Sequence, residues 1–142
     1  MKKFNDVRRL PEFEKEVRRF LKRFSSLEED LKVFEDKQLV LFHKLGVDNG
    51  GVVQITGLGF AEPKIFKARK FACKSLKGRG VQSGIRVIYA YFSIKDAIEY
   101  IELYFKADKE NEDRERIKVK YFGKSRELPG SRERSIDRYP PE

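Results

Sequence analysis

The sequence predicts an α+β domain: a helical hairpin first, packed on a small twisted antiparallel sheet, with a short helix at the C-terminus. Three observations predict it. Apolar residues recur at helical spacing between Phe13 and Phe42. After Gly46 and the turn VDNGG the period changes to that of extended chain. The run IRVIYAYF at 85–92 is built mainly of β-branched and aromatic residues, as a strong strand is.

Pro11 opens the first helix, where its missing N–H costs nothing. Phe13, Val17, Phe20, Leu21 and Phe24 form the apolar stripe. Glu12 and Glu14 at one end, and Lys22 and Arg23 at the other, complement the helix dipole. Ser25-Ser26-Leu27-Glu28-Glu29 offers a capping box in either register, Ser25 with Glu28 or Ser26 with Glu29. The second helix carries Leu27, Leu31, Phe34, Leu39 and Phe42, and so short a turn makes the pair a hairpin. VVQIT is a short strand, and a second strand is expected over 64–74. LKGRGVQSG is a glycine-rich basic loop. DAIEYIELYF at 96–105 fits a helix or a strand. The polar turn SIKD after a strong strand favours the strand, with Ala97, Ile101, Leu103 and Phe105 on one face. Asn111 is placed to cap a short helix that carries Glu112 and Asp113 in its first turn and runs to about Tyr121. Residues 1–123 read as one domain, and 124–142 as a charged tail expected to be mobile.

The 142 residues carry 32 Lys and Arg against 23 Asp and Glu, a net charge of +9 that attracts polyanions. Twelve Phe and six Tyr exclude a disordered chain. The single cysteine, Cys73, has no internal partner, which suits a reducing cytoplasm, and its apolar flanks make it a core residue rather than a nucleophile. The single histidine, His43, cannot build a multi-histidine metal site; it reads as a surface or helix-end residue suited to the dipole. No apolar run approaches the ~20 residues of a membrane span, so no membrane partner is expected.

The chemistry concentrates in one stretch. On a strand Lys67 and Arg69 project to the same side, about 7 Å apart. The run is not cleanly amphipathic, so a bulge or a partly open face is expected. In the next strand Arg86 shares a face with Ile88, Ala90 and Phe92. Lys67, Arg69 and Arg86 can converge with the nearby cations Lys70, Lys74, Lys77 and Arg79 on a surface that holds a phosphate backbone. An edge strand blunted by lysines is the plainer alternative. Tyr89, Tyr91, Tyr100 and Tyr104 are base-stacking candidates, although strand aromatics more often fill cores.

Four segments in order resemble the RelE/ParE superfamily of toxins from bacterial type II toxin–antitoxin systems. FEKEVRRFLKRFSSLEEDLKVF is similar to the toxins' helical hairpin, ITGLGFAEPKIFKARKF to the turn into their basic strand, SGIRVIYAYF to their central strand, and IELYFKADKENED to their last strand and following turn. The resemblance spans about Phe4 to Phe122. It implies cleavage of mRNA on the ribosome, with no metal or other cofactor, by attack of the 2′-hydroxyl on the adjacent phosphate. It also implies a cognate antitoxin protein as partner. By position it makes Arg86 the phosphate stabiliser and gives Lys67 or Arg69 the 2′-hydroxyl or the leaving oxygen. It gives Lys106 backbone binding, with Lys109 close by. The superfamily also houses topoisomerase poisons of the ParE type, so a poison or a non-catalytic nucleic-acid-binding module is the alternative. An arginine cannot serve as general base, and the turn KADKENEDRER has no aromatic residue before Tyr121.

Overall fold

The computed structural model describes residues 3–122, so the tail at 124–142 lies outside the described residues. The order is β1 (Asp6–Arg9), α1 (Pro11–Leu21), α2 (Leu27–Val33) with a π-helical continuation (Phe34–Lys44), β2 (Val52–Ile55), β3 (Lys64–Ala68), β4 (Ile85–Phe92), β5 (Ala97–Phe105) and α3 (Arg114–Ile117), itself continued over Lys118–Phe122. The fold class is α+β, as the sequence predicts.

The sheet is mixed rather than antiparallel. Its five strands run in the order β1-β5-β4-β3-β2, and β1 pairs parallel with β5, from Asp6 opposite Ala97 to Arg9 opposite Tyr100. The segment DVRR has no apolar alternation to announce a strand. Its register is supplied by β5, whose backbone would otherwise be an open edge. The remaining strands form the expected antiparallel meander. β3 ends at Ala68, six residues short of the expected limit at 74, because the amides of Arg69 and Lys70 turn to the carbonyl of Gly51. The alternation breaks there, and Phe71 and Cys73 join the core beneath the helices rather than the face of Lys67.

The two sheet faces bury different cores. One carries Phe66, Ala68, Val87, Tyr89, Ile98, Tyr100 and Leu103, and packs under α1, α2 and the π-helical segment. Phe13 is fully buried and stacks on Tyr100 with ring centroids 5.1 Å apart. The other face carries Ile55, Ile65, Ile88, Ala90, Ile101 and Tyr104, and receives Ile117 and Tyr121 from the short C-terminal helix. That helix starts two residues later than expected: Asp113, not Asn111, is the cap, its carboxylate accepting the Arg116 amide at 3.1 Å.

Between the two faces β5 is bulged. Ile88 pairs with Glu102 but Tyr89 pairs with Tyr100, so Ile101 is the extra residue. The apolar residues therefore sort as Ile98, Tyr100 and Leu103 on one face, with Ile101 and Tyr104 on the other. This departs from the regular alternation of Ala97, Ile101, Leu103 and Phe105. Side chains satisfy the backbone groups beside the bulge. The Leu103 amide donates to Glu16 at 3.0 Å, and Arg116 donates to the Ile101 carbonyl. Glu16 and Arg116 also pair with each other at 2.7 Å.

Two local expectations change. Ser26 makes no side-chain cap; its hydroxyl bonds Asp30 at 2.6 Å and Ser75 at 2.8 Å, tying the start of α2 to the loop that holds Cys73. His43 is a packed residue rather than a surface one. Its ring lies 4.8 Å from that of Phe66 and 4.3 Å from that of Tyr91, and its Nε2 meets the Tyr89 hydroxyl at 2.7 Å. Burial lowers its pKa to about 4 against the opposing pull of Asp96.

Two measurements check these packings. Arg116→Ala removes the donor to the Ile101 carbonyl and leaves Glu16 with the Leu103 amide but no cation, and should cost about 2–3 kcal/mol in urea unfolding. His43 resists protonation when folded, so its contribution is whole above the unfolded pKa of 6.5 and is lost as pH falls toward about 4. After allowance for partial exposure the loss should be about 2–3 kcal/mol. His43→Gln should remove that part of the pH dependence, read by unfolding the two proteins side by side between those limits.

Candidate nucleic-acid interface

The face packed under the short C-terminal helix also carries the predicted cations, with Lys67 and Arg86 half-buried and Arg69 exposed. Lys67, Ile88 and Glu102 lie in one cross-strand row on β3, β4 and β5, and Arg86 and Tyr104 lie in the next. Paired residues point to the same face, so these side chains share a surface. Arg69 follows the end of β3 beside Arg86, whose guanidinium donates to the Arg69 carbonyl at 3.3 Å. The Arg69 guanidinium reaches the Gly50 carbonyl at 3.2 Å. No carboxylate ion-pairs with either arginine among the described residues. Both guanidiniums keep donors for an anion, since a single carbonyl uses one of five.

Lys67 is engaged. Its ammonium lies 2.7 Å from a carboxylate oxygen of Glu112, in a pair where Lys67 is 19% and Glu112 9% exposed. Burial acts to raise the Glu112 pKa, but Lys67, its own backbone amide and Arg114 at 3.6 Å outweigh it and hold the carboxyl below its usual range. Glu112 is therefore ionised at neutral pH. It is delivered by the turn that Glu102 fastens: Glu102 is wholly buried, accepts the Asp113 amide at 2.8 Å and pairs with Lys109.

Tyr104 sits among these charges. It is 4% exposed, and its hydroxyl is buried without a hydrogen-bond partner among the described residues. Burial, then Glu112 and Glu102, raise its pKa to about 12 against Arg86. A buried hydroxyl without a partner costs free energy. Tyr121 differs, because its hydroxyl donates to buried Glu99 at 2.5 Å.

The remaining predicted residues divide. Lys106 follows β5, its amide on the carbonyl of Gly84 at 2.8 Å. Gly84 has φ +90°, and a Cβ there would meet the Phe105 ring at 3.0 Å, so glycine is required where the loop enters β4. Lys77 and Arg79 are exposed in that loop. Lys70 and Lys74 turn to the helix side: Lys70 donates to the Asn49 carbonyl at 3.0 Å, and Lys74 pairs with Glu29 of α2 at 3.2 Å. The structure thus gathers Lys67, Arg69, Arg86 and Lys109, and leaves Lys70 and Lys74 apart. Of the tyrosines, Tyr89 and Tyr100 are core residues, and Tyr91 donates to Asp96 at 2.9 Å. Glu112 is the residue that sequence reasoning missed. One acidic residue among several in KADKENEDRER gives no sign that it alone will reach Lys67.

Among the described residues no group of three His, Cys, Asp or Glu side chains is placed to hold a metal ion, and no helix is long and apolar enough to cross a membrane. No protein-family model, curated protein or solved structure matches this chain.

Tyr104→Phe removes an unpartnered buried hydroxyl and should leave stability within about 0.5 kcal/mol or raise it. Tyr121→Phe strands Glu99 and should cost about 2 kcal/mol. Urea midpoints of the two variants measure the contrast.

Proposed function

We propose that this chain is a toxin of the RelE/ParE type, its helical hairpin backing the sheet, and that it cleaves mRNA on the ribosome without a metal. The observation that carries the proposal is the grouping, on one sheet face, of two arginines without carboxylate partners among the described residues and an ionised carboxylate against a lysine. Cleavage by the 2′-hydroxyl needs a proton acceptor, a stabiliser for the charge on the pentacovalent phosphorus, and a proton donor for the leaving 5′-oxygen. Arg86 and Arg69 hold the phosphate oxygens through bidentate contacts. Glu112 takes the 2′-hydroxyl proton, which answers the difficulty that no arginine serves as base. Lys67, freed from Glu112 as that carboxylate is protonated, donates to the leaving oxygen. In the family's pattern the cognate antitoxin protein covers this surface until it is removed.

A second reading has its own observation. Lys67 and Lys109 are both neutralised by glutamates, as in a surface that binds without reacting. On that reading the chain is a ParE-like topoisomerase poison or a non-catalytic nucleic-acid-binding module of the same fold.

Induction of the chain in growing cells, with mRNA 5′ ends mapped, separates the two. Cleavage predicts growth arrest with new cuts inside coding sequences. Arg86→Ala and Glu112→Gln should each abolish the cuts, by about 100-fold or more for loss of a catalytic proton acceptor. Arrest without cuts, or cuts that survive both substitutions, refutes the nuclease assignment.

A further inference from the structure

The outer face of α1 carries charge that the cation row does not use. Lys15, Arg18, Arg19 and Lys22 stand at i, i+3, i+4 and i+7, on the side opposite the buried Phe13, Val17 and Phe20. All four are exposed, and none forms an ion pair among the described residues. The helix dipole gains from one or two cations in the last turn. Four in a stripe reaching back to Lys15 exceed that need. Lys15 to Lys22 spans about 10 Å of helix axis.

The stripe also leads somewhere. Arg19 of the stripe is also a wall of the adjoining groove, about 410 Å³, which leads to Tyr104, Phe105 and Lys109. Arg23 lines the same groove, 5.1 Å above the centre of the Phe105 ring and paired with Asp108 at 3.1 Å. The groove therefore joins the stripe to the residue that neighbours Arg86, with its own cations Arg23 and Lys109 paired to Asp108 and Glu102.

We infer that the outer face of α1 is a separate binding surface for the phosphate backbone of helical RNA. Its chemistry selects a double helix. The stripe presents cations without an exposed aromatic side chain, because Phe13, Phe20 and Phe24 are buried beneath it. Single-strand binding relies on aromatic faces for the bases. A rigid row of cations with no stacking platform contacts phosphates held at fixed spacing, as in a double helix read by shape. The choice of RNA over DNA rests on the proposed function; the duplex-binding surface itself stands on α1 and does not require the cation row to cleave RNA.

The test is binding of the full chain to a fluorescent RNA hairpin with a stem of about 16 base pairs, by anisotropy across a salt series. Replacing Lys15, Arg18, Arg19 and Lys22 together by Gln should weaken binding at least about tenfold and lower the slope of log affinity against log salt by about 3 to 4. Arg18→Gln with Lys22→Gln, a milder variant, should lower the slope by about 2. Circular dichroism confirms that both keep their helices. Arg69→Gln with Arg86→Gln should keep most hairpin binding while losing any mRNA cleavage, so the surface and the proposed reaction fail separately. Unchanged affinity in both α1 variants overturns the inference. So does equal or tighter binding of a single strand of the same length or of duplex DNA. A poly-glutamate peptide that binds as tightly as the hairpin would make α1 a protein-docking face and also overturn it.

Discussion

The β5 bulge is the constraint on which the candidate site depends. One extra residue, Ile101, changes the phase of the strand, so that Glu102 and Tyr104 share a face with Lys67 and Arg86. With regular alternation that included Ile101 and Leu103 on one face, the apolar and charged residues of this strand could not sort as they do. The bulge costs ladder hydrogen bonds, and the groups beside it are met by Glu16 from α1 and Arg116 from α3. One ion pair thus fastens three elements: the helix layer, the strand and the C-terminal helix. The turn between β5 and α3 is then fastened again from inside, by Glu102 on the Asp113 amide. Glu112 reaches Lys67 because both ends of its turn are held.

Charge in this protein has two fates, and burial separates them. Carboxylates that enter the interior are met by donors. Glu102 has Lys109 and a backbone amide, Glu99 has the Tyr121 hydroxyl with Arg8 at 3.8 Å, and Asp30 has Ser26 and the Lys74 amide. Leaving such a group unmet would cost several kcal/mol. The cations left over are mostly exposed, on α1, in the glycine-rich loop and at Arg69. The basic excess is consequently external and directed, which is the condition for an electrostatic surface rather than a structural network.

Much of the fold was legible in the sequence, for reasons that differ by element. α1 was plain because Pro11, a clean apolar stripe and terminal charges agree. β4 was plain because β-branched and aromatic residues crowd it, whereas β5 fitted helix or strand and was decided by the polar turn SIKD before it. β1 was hidden, since DVRR owes its strand to a ladder with residues about ninety positions later. The bulge was hidden too, because its satisfying groups lie on α1 and α3. Of the site, Lys67 and Arg86 could be read from strand alternation, whereas Arg69 lies one residue past the end of β3. Glu112 could not, since its place follows from Glu102 and a turn. His43 was misjudged because a helix-end position suggests a dipole partner, whereas Phe66, Tyr89 and Tyr91 close around it from the sheet.

The unequal covering of the two faces explains why the site lies where it does. The helix-side face is roofed by about thirty residues of helix, and its tyrosines are consumed by packing. The opposite face is roofed by α3 and its short continuation, whose Ile117 and Tyr121 join Ile55, Ile65, Ile88 and Ala90 in one buried cluster. On this face Arg86 stays half-buried and Arg69 exposed, while Lys67 is met by Glu112. Tyr104 stands on the same face, wholly enclosed yet with its hydroxyl unmet. An apolar ring of the same size would fill that space without the desolvation cost.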